Sequence, residues 1–216
     1  PRRFGKSYAA NMLAAYYSKG ASSEEMFSKL DIGKTPDFKR HLNKYDVIHI
    51  DIQWFLTNCE DKDKVVGYIT KVVLDELKDV YPDILPSEVL SLPDALSRVR
   101  NETGRKFVII IDEWDVLIRD EAANEKIQNE YINFLRSMFK GIEPTKYIQL
   151  AYLTGILPVK KEKAQSAVNN LEEFTMLQAY ELAPYIGFTE EEVKGLCKQY
   201  GRDFEKVKKW YDGYLL

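Results

Sequence analysis

The residues best suited to chemistry stand at two places in the chain. Asp112 and Glu113 end the apolar run Phe107-Val108-Ile109-Ile110-Ile111, and Gly5-Lys6-Ser7 opens a helix-forming stretch near the start. Adjacent carboxylates at the tip of a buried segment call for a cation or strong donors beside them, because an uncompensated buried charge is costly. A glycine turn with lysine and serine at a helix N-terminus offers backbone N–H groups and a positive charge to phosphate oxygens. Together the two places read as the halves of a nucleoside-triphosphate site. Lys6 would bridge the β- and γ-phosphates as a point charge, and the Ser7 hydroxyl would ligate magnesium. Asp112 would orient that magnesium, usually through a bound water, and Glu113 would accept a proton from the attacking water. Plainer readings stand beside these: a chance tripeptide opening a helix, and solvated acids where a strand meets a loop. Either half alone leaves them open, whereas the pair favours the site.

The full phosphate-loop pattern, G-x-x-x-x-G-K-[ST], would place its first glycine one residue ahead of Pro1. The strand that should feed the loop would precede it as well. A chain that begins with proline is therefore read as a fragment of a longer protein, and weak nucleotide binding is expected of the fragment alone. Arg2 and Arg3 flank the loop and either neutralise phosphate charge or are merely exposed. Thr154, at the tip of a later apolar run, would contact the γ-phosphate or the water. It reads almost as well as a strand terminus before a turn at Gly155. Asp115 suits a cap for the following segment better than a place in the metal shell. Trp54, Trp114 and Trp210 read as packing residues rather than base-stacking platforms.

The elements that must position these groups follow from apolar spacing. Residues 7–19 carry Tyr8, Met12, Leu13, Tyr16 and Tyr17 at helical steps, with Gly20 as the stop. Ser22-Ser23-Glu24-Glu25 signals a capping box for a short second helix. Residues 45–52 read as a buried strand. A helix over 63–80 presents Val65, Val66, Ile69, Val72, Val73, Leu77 and Val80 on one face. Another helix spans 94–102 before Gly104, and the strand 106–111 follows. A helix over 124–140 is broken by Gly141 and Pro144, and a strand over 147–153 ends at Thr154-Gly155. Strands alternating with helices describe a parallel sheet, whose ligands sit beyond the carboxyl ends of the strands. Beyond Pro158, residues 160–170 read as a polar loop or lid, and 174–177 as a short fifth strand. Thr189 opens a capping box with Glu192, where Phe188 and Val193 would form a hydrophobic staple, and a last helix runs over 203–210.

Composition narrows the class. The 216 residues fit one large domain, or a core with a small appendage, and 45% hydrophobic content supports a proper core. The net charge of −3, from 31 basic and 34 acidic residues, gives no global field for DNA or RNA. Local lysines at 160, 161 and 163, or at 206, 208 and 209, read as solvated faces. Cys59 and Cys197 stand far apart, which argues against a disulfide scaffold or a structural zinc site and fits a reducing cytoplasm. No apolar run approaches the roughly 20 residues that cross a bilayer.

Several of these segments resemble one family. Pro1-Arg2-Arg3-Phe4-Gly5-Lys6-Ser7, Ile111-Asp112-Glu113-Trp114-Asp115 and Leu153-Thr154-Gly155 are similar to the AAA-ATPase-like domain proteins of bacteria. So are Asn169-Asn170-Leu171, the segment Gly187-Phe188-Thr189-Glu190-Glu191-Glu192-Val193, and Trp210-Tyr211-Asp212-Gly213-Tyr214. The resemblance implies a P-loop ATPase core with an extra catalytic glutamate and ATP, rather than GTP, as the nucleotide. It also implies a nuclease-like domain following the ATPase domain in the full-length protein, and arginine rather than glycine at the first loop position.

The resulting expectation is an α/β, P-loop NTPase-type three-layer sandwich with a mainly parallel sheet, truncated before its first strand. Residues 1–157 would form the ATPase-like core, and 158–216 a lid loop with a small helical C-terminal part. The expected function is magnesium-dependent ATP binding with hydrolysis in the intact protein. Glu113 and Lys6 are the catalytic candidates. Gly5, Lys6, Ser7, Arg3 and Thr154 are candidates for nucleotide contact, and Ser7 and Asp112 for Mg2+. A nucleotide-gated switch or scaffold with little turnover, coupled to a nuclease-like partner domain, is the rival reading. Contact with nucleic acid and the oligomeric state stay open.

Overall fold

A continuous run of β-branched residues needs both strand faces covered, and Phe107–Asp112 is buried along its whole length. The computed structural model describes residues 5–88, 91–119, 124–158, 170–175, 178–185 and 187–211. In it that run is the central strand of a parallel sheet ordered β1 (Asp46–Asp51), β2 (Phe107–Asp112), β3 (Ile148–Leu153). Register pairs Asp46 with Phe107 and Asp51 with Asp112 on one side, and Ile111 with Leu153 on the other. An irregularity between Phe107 and Val108 shifts the β2–β3 pairing by one residue.

The two-residue alternation of β2 sends its side chains into two apolar layers. Val108 and Ile110 meet Ala10, Leu13 and Ala14 of α1 (Lys6–Tyr17). Phe107, Ile109 and Ile111 belong to the larger core, which α4 (Ile52–Asn58), α5 (Val65–Val80), α6 (Leu92–Thr103) and α8 (Glu125–Phe139) complete. The α/β architecture with parallel strands is thus the one the sequence spacing predicts. Beside α1, the short helices α2 (Glu24–Ser28) and α3 (Phe38–His41) close a satellite cluster of Tyr16, Phe27, Phe38 and Leu42.

Local chemistry fixes most boundaries. Ser91 caps α6 by accepting from Asp94 N at 3.3 Å, and Gly104 ends it with φ 72°. Asn124 caps α8 by accepting from Ile127 N at 3.0 Å. Elsewhere the structure departs from the spacing. Ile52 starts a helix rather than ending a strand, because the Asp51 carboxylate accepts from Trp54 N at 2.9 Å and so caps α4. The capping box expected at Ser22–Glu25 does not form; the Ser23 hydroxyl turns instead to Ala15 O at 2.8 Å. Val80, assigned to the buried face of its helix, is 56% exposed in the last turn of α5. Pro144 breaks nothing: it sits in the first turn of α9 (Glu143–Tyr147), which takes Tyr147 from the predicted strand.

The chain divides into two compact units, Gly5–Leu171 and a smaller one that begins at Glu172. The smaller unit carries a 3-10 turn over Tyr180–Tyr185, then α10 (Glu190–Gln199) and α11 (Phe204–Tyr211). The Thr189–Glu192 capping box is complete. The staple is not, since Phe188 is 74% exposed. Lys194 Nζ of α10 lies 5.0 Å from the Phe204 ring centre of α11, and Lys208 Nζ of α11 pairs with Glu190 Oε2 of α10 at 3.2 Å, so both contacts link the helices. The expected strand over 174–177 is an antiparallel bridge between Thr175 and Gln178, with 176 and 177 outside the described residues. Arg2, Arg3, the lysines at 160, 161 and 163, and residues 212–214 also lie outside them. Both cysteines are free thiols, and no described helix is long and apolar enough to cross a membrane.

Candidate functional site

The direction of α1 decides which end of the sheet its first turn reaches. Its carboxyl end is tied to the entrance of β1: Tyr45 N donates to Tyr17 O at 2.9 Å, and Lys19 N to Tyr45 O at 2.8 Å. Lys19 Nζ pairs with Asp46 and donates to Tyr81 Oη at 3.0 Å at the same end. From there α1 lies along Val108 and Ile110 toward the carboxyl ends of the strands. At about 1.5 Å per residue its 12 residues span roughly 18 Å, nearly the length of a six-residue strand. The turn carrying Gly5, Lys6 and Ser7 therefore shares the carboxyl edge of the sheet with Asp112. Gly5 adopts φ 76° as the N-cap, a conformation strained for any residue with a Cβ, although the space around it is open. Lys6 is partly buried and Ser7 is exposed.

At the acidic tip, the ladder between β2 and β3 continues one step past the strands. Thr154 N donates to Ile111 O at 2.9 Å, and Trp114 N donates to Thr154 O at 2.8 Å. This pins the Thr154 side chain beside Asp112, and its hydroxyl donates to Asp112 Oδ1. Glu113 N donates to the same Oδ1 at 3.0 Å and lies 3.2 Å from Thr154 Oγ1. Asp112 is 4% exposed, and both its donors converge on one oxygen. Its negative charge, after burial, is the second cause that pushes the Tyr152 hydroxyl pKa up. Glu113 turns the chain with φ 53° and stays partly exposed.

A third carboxylate lies two residues beyond Glu113, at the entrance to α7 (Val116–Arg119). Asp115 is fully buried, and its Oδ2 accepts from Ile156 N at 3.0 Å and Leu157 N at 2.8 Å. The expected cap on the following segment does not form: the carboxylate holds the loop after β3 instead. Arg119 Nε lies 3.3 Å from Asp115 Oδ2, and Arg119 Nη2 donates to Glu113 Oε2 at 3.1 Å. Neither Asp115 Oδ1 nor Arg119 Nε has a hydrogen-bond partner among the described residues, so the Nε–Oδ2 approach is an ion pair alone. Behind it, Tyr131 donates to Trp114 O at 2.8 Å, and burial, then the Asp115 charge, pushes the Tyr131 hydroxyl pKa up.

The structure therefore gathers Asp112, Glu113, Thr154 and Asp115 in one network, with Gly5, Lys6 and Ser7 on the same sheet edge. Trp114 packs in the core as expected. Trp54 and Trp210 do not: Trp54 is 50% exposed because α4 buries Ile52, Phe55 and Leu56 instead, and α11 buries none of its residues. Arg119 is the site residue that sequence reasoning missed. Its only cue was the four-residue step from Asp115, the spacing of a helical ion pair. The oxygens of Ser7 and Asp112 are hard donors, the chemistry that magnesium takes. No cluster of three or more His, Cys, Asp or Glu that could hold a metal by itself occurs among the described residues. Mg2+ is usually held by one or two carboxylates plus substrate phosphates and water, not by a protein cage.

Residues 1–164 match the family model described as "Predicted AAA-ATPase". The chain belongs to the AAA-ATPase-like family. Membership carries an association with nucleotide binding and ATPase activity. This AAA-ATPase-like chain is also 24% identical, over 218 residues, to the "Uncharacterized protein in vnfD 5'region" of Azotobacter chroococcum mcd 1. The match takes in 99% of this chain and 40% of that relative, so the chain spans well under half of the relative's length. No solved structure matches the AAA-ATPase-like chain.

Proposed function

We propose that this domain binds ATP with magnesium at the carboxyl edge of the sheet, as a P-loop-type core, and that the intact protein hydrolyses it to ADP and phosphate. What supports the reading is the direction of α1: its carboxyl end is tied to the entrance of β1 and it runs along β2, which aims the glycine-lysine-serine turn at the strand ends that carry the Asp112–Glu113–Thr154 network. Backbone N–H groups of the α1 turn and the Lys6 ammonium would hold the phosphates. Ser7 and Asp112 would hold the metal, Asp112 through the oxygen that faces away from Thr154. Bound magnesium would supply charge neutralisation on the β- and γ-oxygens. Glu113 would take a proton from water at its carboxylate, while Thr154 keeps Asp112 in place.

The test is ATP binding and phosphate release by the intact protein, its Lys6→Ala variant and its Glu113→Gln variant. Lys6→Ala is expected to weaken binding. Glu113→Gln is expected to bind normally and turn over about 10²–10⁴ times more slowly. Binding without release in the wild type would instead favour a nucleotide-gated switch. Absence of magnesium-dependent binding would refute the reading.

A further inference from the structure

Arg119 makes a link that neither a buried core nor a capped helix requires. Its guanidinium spans two carboxylates: Nε faces Asp115 Oδ2 at 3.3 Å as an ion pair without a hydrogen bond, and Nη2 donates to Glu113 Oε2 at 3.1 Å. Asp115 is buried and fixed, with Oδ2 also holding Ile156 N and Leu157 N. One end of the guanidinium is therefore held by charge alone, and its rigid plane limits where the other end can go. Glu113 is the flexible member, a long side chain at a partly exposed turn with φ 53°. Left alone it would sample several rotamers. Tied to Arg119 through Oε2, it presents Oε1 in one direction.

We propose that Arg119 is a positioning residue that clamps Glu113 for proton abstraction, with Asp115 as its anchor. The inference rests on the nucleotide reading above and adds to it the device that aims the base. The loop after β3 enters the same device, because Asp115 holds both that loop and the guanidinium. Thr154 and Glu113 are thus braced from two sides, by Asp112 and by the Arg119–Asp115 pair.

A clamp that works only through Glu113 has a kinetic signature. In the intact protein, Arg119→Met is expected to lower kcat by about 10–100-fold with the KM for ATP unchanged, the scale on which misplacing a reacting group acts. Arg119→Lys should recover part of that loss, since it restores the charge without the fork. Because Arg119→Met strands a buried Asp115 charge, the paired variant Arg119→Met/Asp115→Asn is measured beside it and should show the same kcat loss. In a Glu113→Gln background, Arg119→Met should cost nothing further. An unchanged kcat, a parallel rise in KM, or a further loss in the Glu113→Gln background would overturn the clamp while leaving wild-type turnover intact. A wild type that neither binds nor hydrolyses ATP would overturn the nucleotide reading and the clamp together.

Discussion

Glu113 holds a left-handed backbone conformation (φ 53°) that costs a non-glycine residue about 1–2 kcal/mol. Its N–H bonds to Asp112 and Thr154, together with the Arg119 tie, hold it there. Gly155 makes the neighbouring close approach possible. A Cβ at that position would lie 2.6 Å from Trp114 Cδ1 and 2.9 Å from Asp115 Oδ1, and against Trp114 Nε1. Gly155→Ala is therefore expected to destabilise the protein by about 1–3 kcal/mol, as overpacked cores do, and to shift Trp114 fluorescence. Urea unfolding followed by tryptophan emission checks both, and an unaltered midpoint would count against the tight packing described. At this scale the acid pair was legible because an apolar run ending in two carboxylates has few stable explanations. Arg119 was not, because its bond to Glu113 crosses a turn whose shape depends on a positive φ that no residue type announces.

Among the elements, α1 depends on Asn43. This residue, at φ 54°, donates its backbone N–H to Tyr16 O at 2.7 Å and its Nδ2 to Ala15 O at 3.1 Å and Ser18 O at 2.9 Å. The carbonyls that a helix leaves unpaired at its carboxyl end thus find donors. This is why α1 stops at Tyr17 rather than running to Gly20. Asn43→Ala is expected to cost about 2 kcal/mol through lost hydrogen bonds and an unfavourable φ. Asn43→Asp should cost more, because a carboxylate would face the same carbonyls. Chemical denaturation of the two variants ranks them, and equal stabilities would contradict the capping role. The long amphipathic helices α5, α6 and α8 were readable from their periodicity and caps. The end of β1 was not: the apolar alternation runs through Ile52, and only the Asp51 carboxylate turning onto Trp54 N converts the next residue to helix.

For the molecule as a whole, buried tyrosines set an alkaline limit. Burial, then the nearby Glu143, pushes the Tyr147 hydroxyl from 10.0 up to about 12, and Tyr131 moves in the same direction. A pKa raised on folding leaves stability whole below the unfolded value and erodes it as pH climbs through the folded one. Stability is therefore expected to fall between about pH 10 and 12, and Tyr147→Phe should shrink that fall relative to wild type. Thermal melts at pH 8 and pH 11 supply the comparison, and an identical drop in both proteins would exclude Tyr147 as a source. The small unit was legible as helices but not in its packing: Phe188 and Trp210 look like anchors in the sequence and stand exposed. In the sheet, β2 is bonded to a neighbour on each side and covered on both faces. The middle of such a sheet is the last part to come apart when a protein breathes. Asp112 and Glu113 hang from that middle, so fraying at the rim leaves their spacing undisturbed.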